Sequence, residues 1–283
     1  MCADSRHCRS TNIFKHDLIY KGAVSMIIRD GHIHTPFCPH GSADTLASYC
    51  EQAISLGLKT ITFAEHAPLP AGFSDPTPNQ DSAMAASDLN AYLQETRAIK
   101  KEYAHALDVL IGLEVDYIFG YEAETKALLN EVGPSLDDSI LSVHFLKVGG
   151  HYRCIDYSPE EFAAIAADLG STNALYALYY DTVLASICAD LGPYKPKRIG
   201  HITLCKKFQK LYQAEQSFGQ EISAILAAIH ENGLQLDYNY AGLTKPYCGE
   251  SYPPKEIALQ AKTMGIPLVY GSDAHSAAGL RMF

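Results

Sequence analysis

The chain has 283 residues, of which 47% are hydrophobic, and this is enough for one large domain with a full core. Its formal net charge of -10 leaves no overall basic surface for nucleic acid or an anionic membrane, so the composition argues against both kinds of partner. Eight cysteines are scattered without a C-x-x-C pair, and no run of about 18 apolar residues occurs. We therefore expect reduced thiols that mostly serve packing, no membrane span and a location in the cytoplasm.

The first 25 residues carry several charges and lack the apolar segment that is typical of a secretory signal. They precede an apolar strand that starts at Met26. The sequence therefore predicts a loosely ordered extension over residues 1–25 and a single domain over residues 26–283.

Apolar runs alternate with segments of helical spacing along the rest of the chain. A loop rich in proline and polar residues is predicted over residues 67–81. Seven strands that are mostly separated by helices are typical of a parallel β/α barrel. The predicted strands are 26–28, 60–64, 109–117, 139–146, 197–203, 234–240 and 267–272, and the predicted helices are 45–57, 87–105, 121–130, 159–169, 173–191, 214–232 and 254–264.

A histidine-rich segment follows the first predicted strand, with His32 and His34 two residues apart and His40 in the next loop. Alternate side chains of a strand point to the same side, so His32 and His34 face one way together. His40 can return over them from the loop. Because neutral imidazole is the commonest protein ligand of zinc and related divalent metals, this trio predicts a metal site.

Further ligand-type side chains interrupt or end the later strands. Glu114 lies inside an apolar strand, where a carboxylate is costly unless it is paired, hydrogen-bonded or bound to a metal. In a β/α barrel the chemistry gathers where strands end, and these residues fall at that end. Nine such side chains exceed the ligands of one four-coordinate ion, so we expect two or three divalent ions, with zinc, iron and manganese all compatible. The nine predicted ligands are His32, His34, His40, His66, Glu114, His144, His201, Asp273 and His275.

The order and spacing of these residues resemble the PHP (polymerase and histidinol phosphatase) superfamily, and the resemblance covers residues 26–276. The sequence around the motifs is most similar to that of the monofunctional histidinol-phosphate phosphatases. The motifs are His32-Ile33-His34, His40, Glu65-His66, Glu114, Ser142-Val143-His144, Gly200-His201 and Ser272-Asp273-Ala274-His275. The flanking sequences that favour the histidinol-phosphate phosphatases within the superfamily are residues 35–41, 63–68, 112–117 and 200–204.

The resemblance implies a distorted seven-stranded parallel (β/α) barrel of PHP type and three metal ions. It also implies a metal-dependent phosphomonoester hydrolase that releases L-histidinol and phosphate from L-histidinol phosphate in histidine biosynthesis. Metal ions suit this chemistry, because they neutralise phosphate oxygens and provide a nucleophile near neutral pH. Glu114, Asp273 and His275 would also take part in catalysis. The implied ligand sets are His32, His34, Glu114 and Asp273 for one ion, Glu114, His144 and His201 for a second, and His40, His66 and His275 for a third.

The implied substrate also needs a phosphate contact and an acceptor for its cationic groups. Lys206, a few residues past His201, is the first candidate for the phosphate contact, and Arg153 is a weaker one. Glu65 is expected to orient neighbouring ligands. The unranked candidates for attracting the amine are Asp75, Asp116 and Asp237.

Three other functions compete with this reading. One is a PHP phosphoesterase acting on another small phosphate or a nucleotide. A nuclease or polymerase-associated role is disfavoured by the net charge of -10. A non-catalytic metal-binding module would be favoured by loss of a ligand, and no ligand of the pattern is lost.

Only eight residues follow His275, whereas chains of the resembled family usually continue through a final helix that covers the barrel. If the chain ends there, we expect an apolar face of the barrel to be exposed, with an effect on stability or oligomeric state. The oligomeric state itself stays open.

Overall fold

The computed structural model describes residues 18–21 and 24–282. Its first elements are two short strands that pair antiparallel, Leu18–Lys21 and Val24–Ile27. The prediction of a loosely ordered segment over residues 1–25 falls mostly on residues outside the described ones, and it stays a prediction. Predicted strand 26–28 is displaced, because Met26 belongs to the antiparallel pair and the first barrel strand begins only at Arg29.

Seven parallel strands form the main sheet, and their order across it is Arg29–Ile33, Thr60–His66, Asp108–Asp116, Ile140–Ser142, Arg198–Ile199, Gln235–Asn239 and Leu268–Gly271. The two outer strands of this order meet, since the Asp273 N–H donates to the His32 carbonyl at 2.8 Å and the His34 N–H donates to the Ala274 carbonyl at 2.9 Å. The sheet is therefore a nearly closed barrel, as predicted. The strands of the described chain are β1 (Leu18–Lys21), β2 (Val24–Ile27), β3 (Arg29–Ile33), β4 (Thr60–His66), β5 (Asp108–Asp116), β6 (Ile140–Ser142), β7 (Phe145–Val148), β8 (His151–Cys154), β9 (Arg198–Ile199), β10 (Gln235–Asn239) and β11 (Leu268–Gly271).

The α-helices surround this barrel and lie close to their predicted positions. Side-chain caps define three of the helix starts, where Thr45, Ser158 and Ser171 each accept a backbone N–H of the first turn. No helix of the described chain combines the length and the apolar character needed to cross a lipid bilayer. The helices are α1 (Leu46–Ser55), α2 (Leu89–Tyr103), α3 (Glu122–Val132), α4 (Pro159–Asp168), α5 (Thr172–Cys188), α6 (Gly219–Glu231) and α7 (Lys255–Thr263).

The main core lies between the barrel strands and the helices. Strands β4 and β5 are buried along almost their whole length, as expected for parallel strands covered by helices. Tyr92 of α2 fixes one helix against the sheet, because its hydroxyl donates to the Phe63 and Gly112 carbonyls at 2.9 and 2.6 Å. Burial of these long apolar strands holds the strand ends, and with them the polar side chains, in register.

The predicted strand 139–146 is wrong in its extent. Only Ile140–Ser142 joins the barrel, and Phe145–Val148 leaves it to pair antiparallel with His151–Cys154. Gly149 and Gly150 make the turn with positive φ angles of 56° and 87°. A tight hairpin turn with positive φ favours glycine. The Gly149-Gly150 pair is therefore the sequence feature from which this hairpin could have been predicted.

A buried guanidinium lies near the start of the barrel strands. Arg198 of β9 is fully buried, and its Nη2 donates to the Gly31 carbonyl at 2.7 Å and to Asp138 Oδ2 at 2.6 Å. Gly31 leaves the necessary room, since a Cβ at this position would lie 1.9 Å from Arg198 Nη1. The hydrogen bond to the Gly31 carbonyl ties β9 to β3, the strand that leads to the first histidine pair.

Candidate metal centre

His32 and His34 lie where β3 ends, and both are fully buried. His32 Nδ1 is 2.8 Å from Asp237 Oδ2, and His34 Nδ1 is 3.2 Å from Glu65 Oε1. A carboxylate at Nδ1 favours the tautomer with the proton on that nitrogen, which leaves the Nε2 lone pair for a metal. Both Nε2 atoms turn toward Glu114 and Asp273. The predicted orienting role of Glu65 remains a prediction, and this geometry is compatible with it.

Glu114 occupies the middle of the cluster, and only 2% of its side chain is exposed. Its Oε2 lies 3.2 Å from His32 Nε2 and 3.2 Å from His66 Nδ1. Its other oxygen, Oε1, lies 3.0 Å from His201 Nε2 and accepts the Ser142 hydroxyl at 2.6 Å. Burial alone would raise the pKa of Glu114, but the surrounding histidines, His32 first, hold this pKa well below its usual value. The carboxylate is thus placed between two groups of histidines.

His144 approaches Glu114 from the segment that follows β6, with its Nε2 3.8 Å from Glu114 Oε1. Its Nδ1 is 2.7 Å from Asp116 Oδ1, so this histidine is also oriented by a carboxylate. The ring centroid of His144 lies 4.9 Å from that of His201. Asp116 is one of the residues predicted from the sequence to attract the amino group of the substrate. It is already engaged with His144, a predicted metal ligand.

Asp273 and His275 follow β11 and close the cluster from the last barrel strand. Asp273 has a φ of 56°, a strained value for a residue with a side chain, and such strain is frequent at functional sites. The His275 ring stacks on the His34 ring with centroids 4.0 Å apart. Burial, and after it the neighbouring His34, lowers the pKa of His275 to about 3.

His40 returns over the cluster from the loop after β3, as the sequence predicts. Its ring centroid lies 5.3 Å from that of His66 and 5.0 Å from that of His275. Its Nδ1 is 2.8 Å from the Asp81 carbonyl, which holds the ring from the long loop after β4. His40 therefore lies beside His66 and His275, two of the other predicted ligands.

The ring nitrogens of the cluster fit divalent cations. His32 Nε2, His34 Nε2 and His66 Nδ1 are buried without a hydrogen-bond partner, and leaving such atoms unpaired costs about 1 to 3 kcal/mol each. Metal coordination would satisfy them, and imidazole with carboxylate is a ligand set for zinc or iron. The groups of ligand atoms that lie close enough to hold an ion are His32, His34 and Asp273; Glu114, His144 and His201; His66, Asp116 and His144; and His34, Cys38, His66 and His275.

A cavity of about 530 Å³ opens over the cluster. The two predicted phosphate contacts are not among its lining residues. Lys206 forms an ion pair with Glu250, and Arg153 pairs with Glu161 at 2.6 Å. Arg153 also reaches Asp168 of α4 at 2.6 Å.

Lys207, the neighbour of Lys206, does line the cavity, and its Nζ lies 2.9 Å from Asp156 Oδ2. Neither Lys207 nor Asp156 is among the candidates predicted from the sequence. Asp75 instead organises the long loop through Thr77 and Ser82. The basic side chains that line the cavity are Lys207, Lys245 and Arg281.

The chain is similar to known proteins. Residues 30–241 match the PHP domain family. The histidinol-phosphatase of Bacillus subtilis is 52% identical over 251 residues, which cover 88% of this chain and 94% of that protein. HisK from Listeria monocytogenes superposes with a TM-score of 0.85 at 42% identity, covering 89% of this chain and 97% of that one.

A more distant structure shares the fold. The histidinol phosphate phosphatase of Lactococcus lactis, complexed with zinc, L-histidinol and phosphate, has a TM-score of 0.66 at 19% identity over 90% of this chain and 88% of its own. The predicted PHP-type barrel is confirmed by these likenesses. The chain belongs to the PHP domain family, and within it to the group of the Bacillus subtilis histidinol-phosphatase.

Proposed function

We propose that this protein is a metal-dependent phosphatase that hydrolyses L-histidinol phosphate to L-histidinol and phosphate, in the cytoplasm and as a step of histidine biosynthesis. The observation that carries the proposal is the 52% identity with the Bacillus subtilis histidinol-phosphatase over almost the whole of that enzyme. The cluster of buried histidines and carboxylates supports it independently, since its chemistry suits phosphate ester hydrolysis.

Two or three divalent ions would be held by the nine predicted ligands, with Glu114 between the ions. When bound, such ions neutralise the phosphate oxygens and lower the pKa of the attacking water. Zinc is the first metal to test, because the Lactococcus lactis relative was crystallised with it. Asp237, Asp116 and Glu65 would hold the rings of His32, His144 and His34 so that the free nitrogen of each faces the centre.

The cavity walls favour a small substrate with both negative and positive groups. Lys207 faces the cavity and would contact the phosphate, with Asp156 keeping its side chain in place. Asp81 also lines the cavity and would supply negative charge for the amino group of the substrate. Phe145 and Tyr157 also line the cavity and offer faces for an imidazole ring.

The test is phosphate release by metal-loaded protein from L-histidinol phosphate, p-nitrophenyl phosphate, several sugar phosphates and a nucleotide monophosphate. We expect kcat/KM for L-histidinol phosphate to exceed the others by about a hundredfold or more, which corresponds to roughly 2.7 kcal/mol of discrimination in the transition state. Comparable slow rates on all substrates would contradict the assigned substrate and favour a PHP phosphoesterase for another phosphate.

A further inference from the structure

The His40 ring depends on the long loop after β4 for its orientation. Among the nine predicted ligands, all of which the structure describes, His40 alone is exposed. Its Nδ1 lies 2.8 Å from the Asp81 carbonyl. A carbonyl oxygen can only accept a hydrogen bond, so Nδ1 carries the ring proton and Nε2 keeps the lone pair that binds a metal. How well His40 is placed therefore depends on how firmly the loop holds the Asp81 carbonyl.

Asp75 closes a turn in this loop over residues 75–82. Its Oδ1 accepts the Thr77 N–H at 2.9 Å and the Thr77 hydroxyl at 2.8 Å. Its Oδ2 accepts the Ser82 N–H at 3.0 Å, and Oδ1 also accepts the Ser82 hydroxyl at 3.1 Å. Both carboxylate oxygens are thus used within the turn, and Asp75 is not among the described residues that line the cavity.

The Ser82 N–H and the Asp81 carbonyl belong to the same peptide unit. A trans peptide is planar, and its N–H and C=O point in opposite directions. This unit therefore has the Asp75 carboxylate on one side and the His40 ring on the other. A carboxylate on the N–H also polarises the peptide, which makes its carbonyl a stronger acceptor for the His40 proton.

Carboxylates face the Nδ1 atoms of three other predicted ligands without a peptide in between. These pairs are His32 with Asp237, His34 with Glu65 and His144 with Asp116. Asp75 extends the same arrangement to His40, with one peptide unit as the intermediary.

The start of the turn is anchored to the barrel. Two residues before Asp75, the Phe73 ring packs edge-on against Phe145 and Tyr152, with centroids 5.2 and 5.1 Å away. The Tyr121 hydroxyl donates to the Gly72 carbonyl at 3.2 Å. Because one end of the turn is fixed in this way, the bonds that Asp75 makes to its other end determine where the peptide before Ser82 lies.

We propose that Asp75 is a positioning residue for His40, which acts through the peptide unit between Asp81 and Ser82 and strengthens binding of the ion that His40 holds. The inference rests on the metal centre of the proposed function. It differs from the role of attracting the substrate's amino group, for which Asp75 was a candidate from the sequence, because positioning acts on metal affinity and attraction acts on KM.

The test measures zinc binding to the full-length protein by stepwise competition with a chelator, and His40→Ala identifies the step that depends on His40. We expect Asp75→Asn to weaken this step by about tenfold and to leave the other steps unchanged, because an amide has one oxygen and cannot accept all the bonds of the turn. Asp88→Asn is the matched control, since Asp88 is exposed just beyond the loop and accepts the Ser87 hydroxyl at 3.2 Å.

A double variant separates an effect through His40 from a general effect on the loop. In the His40→Ala background, Asp75→Asn should cause no further loss of zinc affinity, since the ring on which it acts is absent. A further loss of the same size would overturn the proposal. A raised KM with unchanged zinc affinity would overturn it in favour of attraction of the amino group.

Thr77→Val provides a second test that does not depend on the folding of Asp75→Asn. It keeps the backbone N–H and removes the hydroxyl that Asp75 accepts, so we expect a smaller loss at the same zinc-binding step. Unchanged affinity in both variants would overturn the proposal and leave the metal centre in place. Unmodified protein that bound no zinc and released no phosphate would overturn the proposed function, and the positioning role with it, so the two failures are distinguishable.

Discussion

At the scale of single residues, the centre depends on carboxylates that face histidine rings. Asp237 is fully buried, and its Oδ2 lies 2.8 Å from His32 Nδ1 and accepts the side-chain N–H of Asn239 at 3.2 Å. The aspartate thereby selects the tautomer of His32 and fixes its orientation. Such partners would not touch a bound metal, yet they would determine how well the ring binds it.

Asp237→Asn should weaken zinc binding, because an amide can present an N–H to Nδ1 and favour the wrong tautomer of His32. We expect a loss of about 10- to 100-fold in zinc affinity, measured by competition with a chelator. Asp190→Asn is the matched control, since Asp190 is 80% exposed and pairs with Lys126. Equal affinity in the two variants would show that Asp237 does not orient His32.

Glu114→Gln removes the negative charge that lies among His32, His66 and His201. Because both carboxylate oxygens are engaged, on opposite sides of the cluster, two ions should be disturbed at once. We expect kcat/KM to fall by at least about a hundredfold, with fewer ions bound per chain. A variant that kept a near-normal rate and metal content would be incompatible with the central position of Glu114.

Lys207→Met and Lys206→Met separate two hypotheses about the phosphate contact. Lys207 lines the cavity, whereas Lys206 is paired with Glu250. We expect Lys207→Met to raise KM for L-histidinol phosphate by roughly tenfold, equivalent to about 1.4 kcal/mol, and Lys206→Met to change KM little. The opposite result would support the sequence-based prediction that Lys206 is the contact.

At the scale of elements, strand β3 needs a glycine where β9 reaches it. A methyl group at Gly31 would meet Arg198 Nη1 at 1.9 Å and Val269 Cγ1 at 2.5 Å. Gly31→Ala should therefore lower the free energy of unfolding by about 2 kcal/mol or more, seen as a lower denaturant midpoint. Gly219→Ala is the control, since a Cβ at that position would lie 3.5 Å from Ser217 Oγ. An unchanged midpoint for Gly31→Ala would mean that the close approach of Arg198 to β3 does not require glycine at this position.

The sequence was sufficient for those parts of the site where a polar residue interrupts an apolar strand, as Glu114 does in β5. The sequence was not sufficient to predict that Lys207, and not the neighbouring Lys206, lines the cavity. Both lie in the 3-10 turn Leu204–Phe208, where consecutive side chains point about 120° apart, and composition does not tell which one faces the cavity. The hairpin of β7 was hidden because Phe145–Val148 continues the apolar run that starts in β6.

At the scale of the whole molecule, closure of the barrel assembles the site. β3 and β11 meet through the backbone bonds of His32 and His34, which brings the first predicted ligands of the chain beside the last two, Asp273 and His275. Ligands so far apart in sequence do not form a site in the unfolded chain. Metal binding should therefore stabilise the fold as well as supply chemistry.

Removal of metal by a chelator should lower Tm. For each ion present at a hundredfold excess over its Kd, the loss is about 2.7 kcal/mol, or roughly 5 to 10 °C for a chain of this size. Calorimetry before and after chelation measures this difference, and Glu114→Gln should show a smaller one. Equal Tm values for the metal-loaded and the stripped protein would contradict the coupling between the centre and the fold.

The most direct test of the account is the rate of phosphate release from L-histidinol phosphate by chelated protein, before and after zinc is restored, in the unmodified chain and in Glu114→Gln. We expect no turnover without metal, recovery on adding zinc to the unmodified protein, and no comparable recovery in the variant. Full activity in protein shown by elemental analysis to be free of metal would contradict it.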